Sequence, residues 1–149
     1  MKTNELRLGN YILVDCVMFK EELKVTEIYP NGVFAKTKYP DDDMPEIGFI
    51  KEEDIEPIEL TEEVLLKIGF KKERQLISNL FYLDYETDVD NIIRVKYVIY
   101  PKAPSLLKIT TSQCGNYECF EFMKRGIKYL HELQNAYFIL TGKELEVEL

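Results

Sequence analysis

The chain has 149 residues, 46% of them hydrophobic and 31% charged, and a formal net charge of −8. This is enough chain and enough apolar surface for one ordinary domain or two small ones, which excludes a disordered or fibrous protein. No apolar run reaches the roughly 18–20 residues a spanning helix needs, and MKTNELRLGN is not a signal peptide, so a cytoplasmic protein with no membrane partner is expected.

Residues 6–14, LRLGNYILV, read as a strand interrupted at Gly9-Asn10, where a turn or bulge redirects the chain. Residues 23–29 follow with a mixed alternation. Pro30-Asn31-Gly32 is the strongest turn signal, and Asn-Gly ahead of residues 33–38 predicts a hairpin because both residues tolerate positive φ. A charged loop over 39–46 leads to two short extended pieces, 47–50 and 55–60, the last marked by Pro57 as an edge or exit strand. These signals predict a small antiparallel β barrel-like module of the SH3-like kind over residues 1–60. The alternative is that these strands extend one larger sheet, making a single continuous domain.

Thr61 caps a short helix, with Glu62 and Glu63 in its first turn, Val64, Leu65 and Ile68 on its buried side, and Gly69 ending it. Extended stretches follow at 80–85, 92–100 and 106–111, with residues 119–123 as a further strand. Phe81, Leu83 and Tyr85 share one face of the first, and Ile93, Val95, Tyr97 and Ile99 one face of the second. Residues 127–142 show the cleanest helical period. Ile127, Leu130, Leu133, Tyr137, Phe138 and Leu140 fall on one side and Lys128, His131, Glu132 and Asn135 on the other, with Gly142 as the stop. The fold class is therefore α+β. Residues 61–149 form a second module whose antiparallel sheet is expected to be covered by the long helix 127–140, because such a helix is not stable alone. The tail ELEVEL is either an edge strand or frayed.

Charge is uneven: residues 1–60 hold seven basic and fourteen acidic residues, or −7, and residues 61–149 twelve against thirteen, or −1. Residues 91–130 carry a local +5, from seven basic against two acidic residues. On the sheet side opposite the core, Tyr82, Arg94, Lys96, Val98, Tyr100, Lys108 and Thr110 project together if the strands pair as a meander. Aromatics among basic residues suit an acidic protein surface or single-stranded nucleic acid, so Tyr82, Arg94, Lys96, Tyr100 and Lys108 are the candidate binding face.

Other constellations point elsewhere. Cys16, Cys114 and Cys119 are odd in number and without zinc-knuckle spacing, so they read as reduced structural thiols. Asp41-Asp42-Asp43 with Glu46 lacks the calcium-loop register, since Gly48 and Glu52 fall at the wrong offsets. His131 reads as an exposed or helix-edge histidine on the polar side of the helix. There is no nucleophile elbow, phosphate-cradling loop or dinucleotide fingerprint. No catalytic residue, metal or cofactor is expected, and an enzyme acting on small molecules is a minor alternative.

The stretches ELRLGNYILV, IEPIELTEEVLLKIGF and YLHELQNAYFILTGKEL together resemble a group of small uncharacterised proteins of Bacteroidota prophages and mobile elements. The resemblance implies an accessory protein that binds a host or phage protein, and it carries over no functional residue. The expected function is thus non-enzymatic protein binding, with nucleic-acid or nucleotide binding through the basic face as the alternative.

Overall fold

The computed structural model describes residues 1–16, 19–37, 47–74, 79–88, 91–100, 103–113, 116–145 and 147. Asp41, Asp42, Asp43, Glu46 and Cys114 lie outside them, as do the side chains of Cys16 and Cys119. In chain order the first strands are β1 (Tyr11–Cys16), β2 (Phe19–Tyr29), β3 (Gly32–Thr37), β4 (Ile47–Lys51) and β5 (Ile55–Glu56). Helix α1 (Glu62–Lys67) follows, then β6 (Lys71–Arg74), β7 (Asn79–Asp88), β8 (Asn91–Tyr100), β9 (Ala103–Gln113), β10 (Asn116–Arg125) and helix α2 (Leu130–Thr141). Two antiparallel five-stranded sheets result, ordered β4-β3-β2-β1-β5 and β10-β9-β8-β7-β6. Contacts divide the chain into a first unit, Met1–Leu60 with Tyr129–Glu146, and a second, Thr61–Lys128 with Val147–Leu149.

The first unit is a curled antiparallel sheet, a half-barrel, around Leu6, Ile12, Val14, Leu23, Val25, Val33, Ala35, Ile50 and Ile55. Alternation along β1 explains its share: Ile12 and Val14 are 0% and 1% exposed, while Asp15 faces water. The Gly9-Asn10 signal is a turn before β1, closed by Asn10 N–H donating to Arg7 O at 3.2 Å, with Gly9 at φ +86°. The hairpin between β2 and β3 departs from expectation. Tyr29 pairs with Gly32, so Pro30 and Asn31 form the turn, and neither Asn31 nor Gly32 has positive φ. Gly32 is required for another reason: a Cβ there would run into the Ile50 carbonyl oxygen and the Phe49 ring.

Helix α2 was expected on the second sheet, and the contacts place it in the first unit instead. Its start is tied to the end of the strand module, where Leu130 N–H donates to Ile58 O at 2.8 Å and Tyr129 bridges to Glu59. The buried stripe is Leu130, His131, Leu133, Gln134, Ala136 and Tyr137, while Ile139 is 75% exposed. Two polar residues thus occupy positions that a purely apolar face would fill. Gln134 explains why: its Oε1 accepts from Tyr11 N–H at 3.0 Å and its Nε2 donates to Gly9 O at 3.3 Å. Because β5 reaches only Leu13 and Val14 of β1, the Gln134 amide serves Gly9 and Tyr11 as a neighbouring strand would. Asn135 adds a bond from Nδ2 to Glu5 O at 2.9 Å, and the Arg7 guanidinium lies 3.5 Å from the Phe138 ring centre.

The second unit is a meander of long hairpins. Phe81, Val95, Tyr97 and Leu107 are 0–2% exposed on one face, as the alternation predicts. Leu83 and Ile99 are half-buried, and the side chains of Tyr85 and Ile93 lie outside those described. Helix α1 supplies Leu65, with Ile68 and Phe70 just after it. The Thr61 hydroxyl accepts from Val64 N–H at 3.2 Å as its cap, and Gly69 at φ +89° ends the turn. The chain leaves β10 through Ile127, whose carbonyl accepts from both the Tyr97 hydroxyl and Ser105 Oγ. Strand β6 had no counterpart in the sequence reading. In the tail, Leu145 and Val147 are buried.

Candidate functional site

Register decides which candidate residues meet. Across the second sheet, Lys71 on β6 stands opposite Tyr82 on β7, Tyr82 opposite Lys96 on β8, and Lys96 opposite Lys108 on β9. These four residues form one lateral row. Arg94 sits two residues along β8, with its guanidinium carbon 5.6 Å from the Tyr82 ring centre. The row's side chains project to one face because all are in phase with the pleat, opposite to Phe81, Val95, Tyr97 and Leu107.

Tyr82, Lys96 and Lys108 are half-buried, so the lysine stems run along the sheet and carry their ammonium groups to its surface. Lys71 and Arg94 are exposed. A shallow hollow of about 330 Å³ is lined by Lys71, Glu73, Tyr82, Arg94 and Lys96. Among the described side chains, three cations and one carboxylate surround Tyr82, and Lys108 extends the row. Lys96 and Lys108 stand directly opposite each other across β8 and β9.

Of the five residues expected at the site, Tyr82, Arg94, Lys96 and Lys108 come together. Tyr100 does not join them. It lies four residues beyond Lys96, about 13 Å along an extended strand, and past a register shift that ends with its pairing to Ala103. Lys71 and Glu73 were missed because KKER carries no strand signal: its four residues are all charged, and only pairing with β7 makes it extended.

The other candidates take different places. His131 was expected exposed or at the helix edge and is 3% exposed, stacked at 10° on the Tyr129 ring with centres 5.9 Å apart. Burial pulls its pKa below the ordinary value, against the smaller opposing effects of Glu132 and Glu5. Its Nδ1 is buried without a hydrogen-bond partner among the described residues. In the acidic run Glu52-Glu53-Asp54, Glu52 is a structural acceptor: its Oε2 takes the Thr3 amide at 2.9 Å and the Thr3 hydroxyl at 3.0 Å, bonds that lower its pKa. Among the described residues no group of three His, Cys, Asp or Glu side chains could hold a metal ion, and no helix is long and apolar enough to cross a membrane.

Compared with known protein families, with curated proteins and with solved structures, the chain matches none of them.

Proposed function

We propose that this is a non-enzymatic binding protein that holds an acidic surface of a partner protein on the face built from Lys71, Tyr82, Arg94, Lys96 and Lys108. The observation that carries this reading is the lateral row, which sets Lys96 against Lys108 beside a half-buried tyrosine. A protein partner suits the face better than a nucleic acid. Affinity for a polyanion grows with the number of phosphates neutralised, and here four cations sit in a chain of net charge −8 whose field repels a long polyanion. A local acidic patch meets the same cations without that long-range penalty, and Tyr82 supplies the rigid aromatic contact typical of interface centres.

The resemblance of both ends and the middle of the chain to uncharacterised Bacteroidota mobile-element proteins supports an accessory role, with a host or phage protein as the partner. The SH3-like reading of the first unit is supported by its meander, whose last strand returns after the 3₁₀ turn Glu52–Asp54 to pair with β1.

The test is titration of the full chain with a short glutamate-rich peptide and, separately, with a single-stranded oligonucleotide, at low and moderate salt. The peptide is expected to bind, and the Lys96→Glu/Lys108→Glu variant to lose that binding while keeping its unfolding midpoint. Tight oligonucleotide binding with a steep salt dependence and no peptide binding would overturn the reading in favour of a nucleic-acid face.

A further inference from the structure

The first unit carries a second exposed surface of opposite character. Tyr29 on β2, Phe34 on β3 and Phe49 on β4 meet edge to face, with ring centres 5.6 to 6.1 Å apart. The register explains the cluster: Val33 and Ile50 oppose each other and turn into the core, so their neighbours Phe34 and Phe49 stand on the outer side. Phe49 also lies over Gly32, whose missing side chain lets the ring settle against the sheet. Tyr29 and Phe49 remain 44% and 41% exposed, which is unusual for large aromatics that already have each other as partners.

Carboxylates flank the rings. Glu27 accepts from the Tyr29 hydroxyl at 2.7 Å, and an open hollow of about 720 Å³ beside Phe49 is lined by Glu5, Glu52 and Glu53 together with Lys2 and Lys51. Glu52 is engaged by Thr3, and Glu53 lies 3.5 Å from Lys51, which leaves Glu5, and Glu27 through the oxygen that the Tyr29 hydroxyl does not use, as the carboxylates best placed for an incoming cation. The unit as a whole holds eight basic and seventeen acidic residues, a net −9. Electron-rich ring faces beside carboxylates in a negative field attract arginine and lysine. Among the described residues, the cations that lie over rings do so at Phe138, Tyr11, Phe81 and Tyr82, and none lies over this cluster.

We infer that the Tyr29, Phe34 and Phe49 cluster docks an arginine- or lysine-rich segment of a partner protein, with its cations over the rings and against Glu5 and Glu27. An apolar partner would have to strip water from those carboxylates with nothing to pair them. Two copies meeting through this same patch would bring the carboxylates face to face. The surface is separate from the basic face of the second unit, and the proposal does not depend on that face.

The experiment is titration of the full chain with a short arginine-rich peptide, its citrulline counterpart and an aspartate-rich peptide, followed by amide chemical shifts. The arginine peptide should bind at low salt, moving resonances of β2, β3 and β4, and the other two should not. Phe49→Leu still covers Gly32 but lacks a π face, and it should weaken binding about two- to fivefold, with a larger loss in Tyr29→Leu/Phe49→Leu. Glu5→Lys/Glu27→Lys reverses two exposed charges, the second also removing the acceptor of the Tyr29 hydroxyl, and should also weaken it. Lys96→Glu/Lys108→Glu should leave it unaltered, which separates this surface from the basic face. Equal binding of the citrulline peptide, full affinity in the leucine variants, or no arginine-peptide binding would overturn the inference.

Discussion

The two sheets are completed in different ways. In the second unit each strand finds its partner next to it in sequence, so β7, β8 and β9 pair through hairpins over most of their length. In the first, β5 is two residues long and leaves the start of β1 without a strand beside it. The missing partner is Gln134, 123 residues away from Tyr11, in a helix the chain reaches only after the second unit has been made. The contrast teaches that a helix follows unmet hydrogen bonds as well as apolar surface, and that sequence adjacency is a poor guide to which sheet it covers. It also separates the charge. The first unit has net charge −9, and the second, with eleven basic and ten acidic residues, +1.

The largest break in this arrangement should come from Tyr137→Ala. The side chain is 2% exposed in the first unit, and its removal is expected to destabilise by about 3–5 kcal/mol in chemical denaturation. Hydrogen exchange sharpens the comparison, because β1 and β2 amides should lose protection before those of β8 and β9. Equal loss in both sheets would show that the units unfold as one.

Next in size is Gln134→Leu, which keeps the volume and removes the amide. The buried Tyr11 N–H and the part-buried Gly9 C=O lose their partner, at a cost of about 2–4 kcal/mol. An unchanged midpoint would mean that packing of the helix, and not its pairing with the strand edge, holds it. Gly32→Ala should cost about 1–3 kcal/mol by forcing Phe49 and the β4 backbone away. The same change at Gly48, where an added Cβ meets nothing within 4 Å, should cost less.

The smallest effect is a pH slope. His131 has a lowered pKa in the folded chain, so the unfolded chain binds its proton first as pH falls. Stability of the first unit should therefore be fully present above about pH 6.5, the ordinary histidine value, and decline as pH drops below it. The groups that face the imidazole are Glu132 of its own helix, Glu5, and the chain's amino terminus. His131→Phe should flatten the slope between neutral and mildly acid pH in midpoint measurements, and a slope unchanged by that substitution would place the titration elsewhere.

Much of the local structure was legible in the residues. Thr61 and Gly69 bracket α1, Gly142 at φ +70° closes α2, and the alternation of Phe81, Val95 and Tyr97 marks a core face. The candidate face was legible in part. A simple meander brings Tyr82, Arg94, Lys96 and Lys108 together, but a register shift near its end removes Tyr100, and irregular pairing leaves no trace in composition. His131 could not be placed from a helical wheel, which ranks residues by polarity and so puts a histidine outside. Burial of a polar side chain depends on what it touches.

By itself the sequence determined the periods, caps and turns, because these depend on residues within a few positions of one another: an α+β chain with an acidic first part and a basic stretch after it. Only the tertiary structure decided that β6 exists, that Gly32 is required by Phe49, and that α2 belongs to the first sheet. Each of these rests on a contact between distant residues. The third rests on an unpaired strand edge that only the folded chain creates.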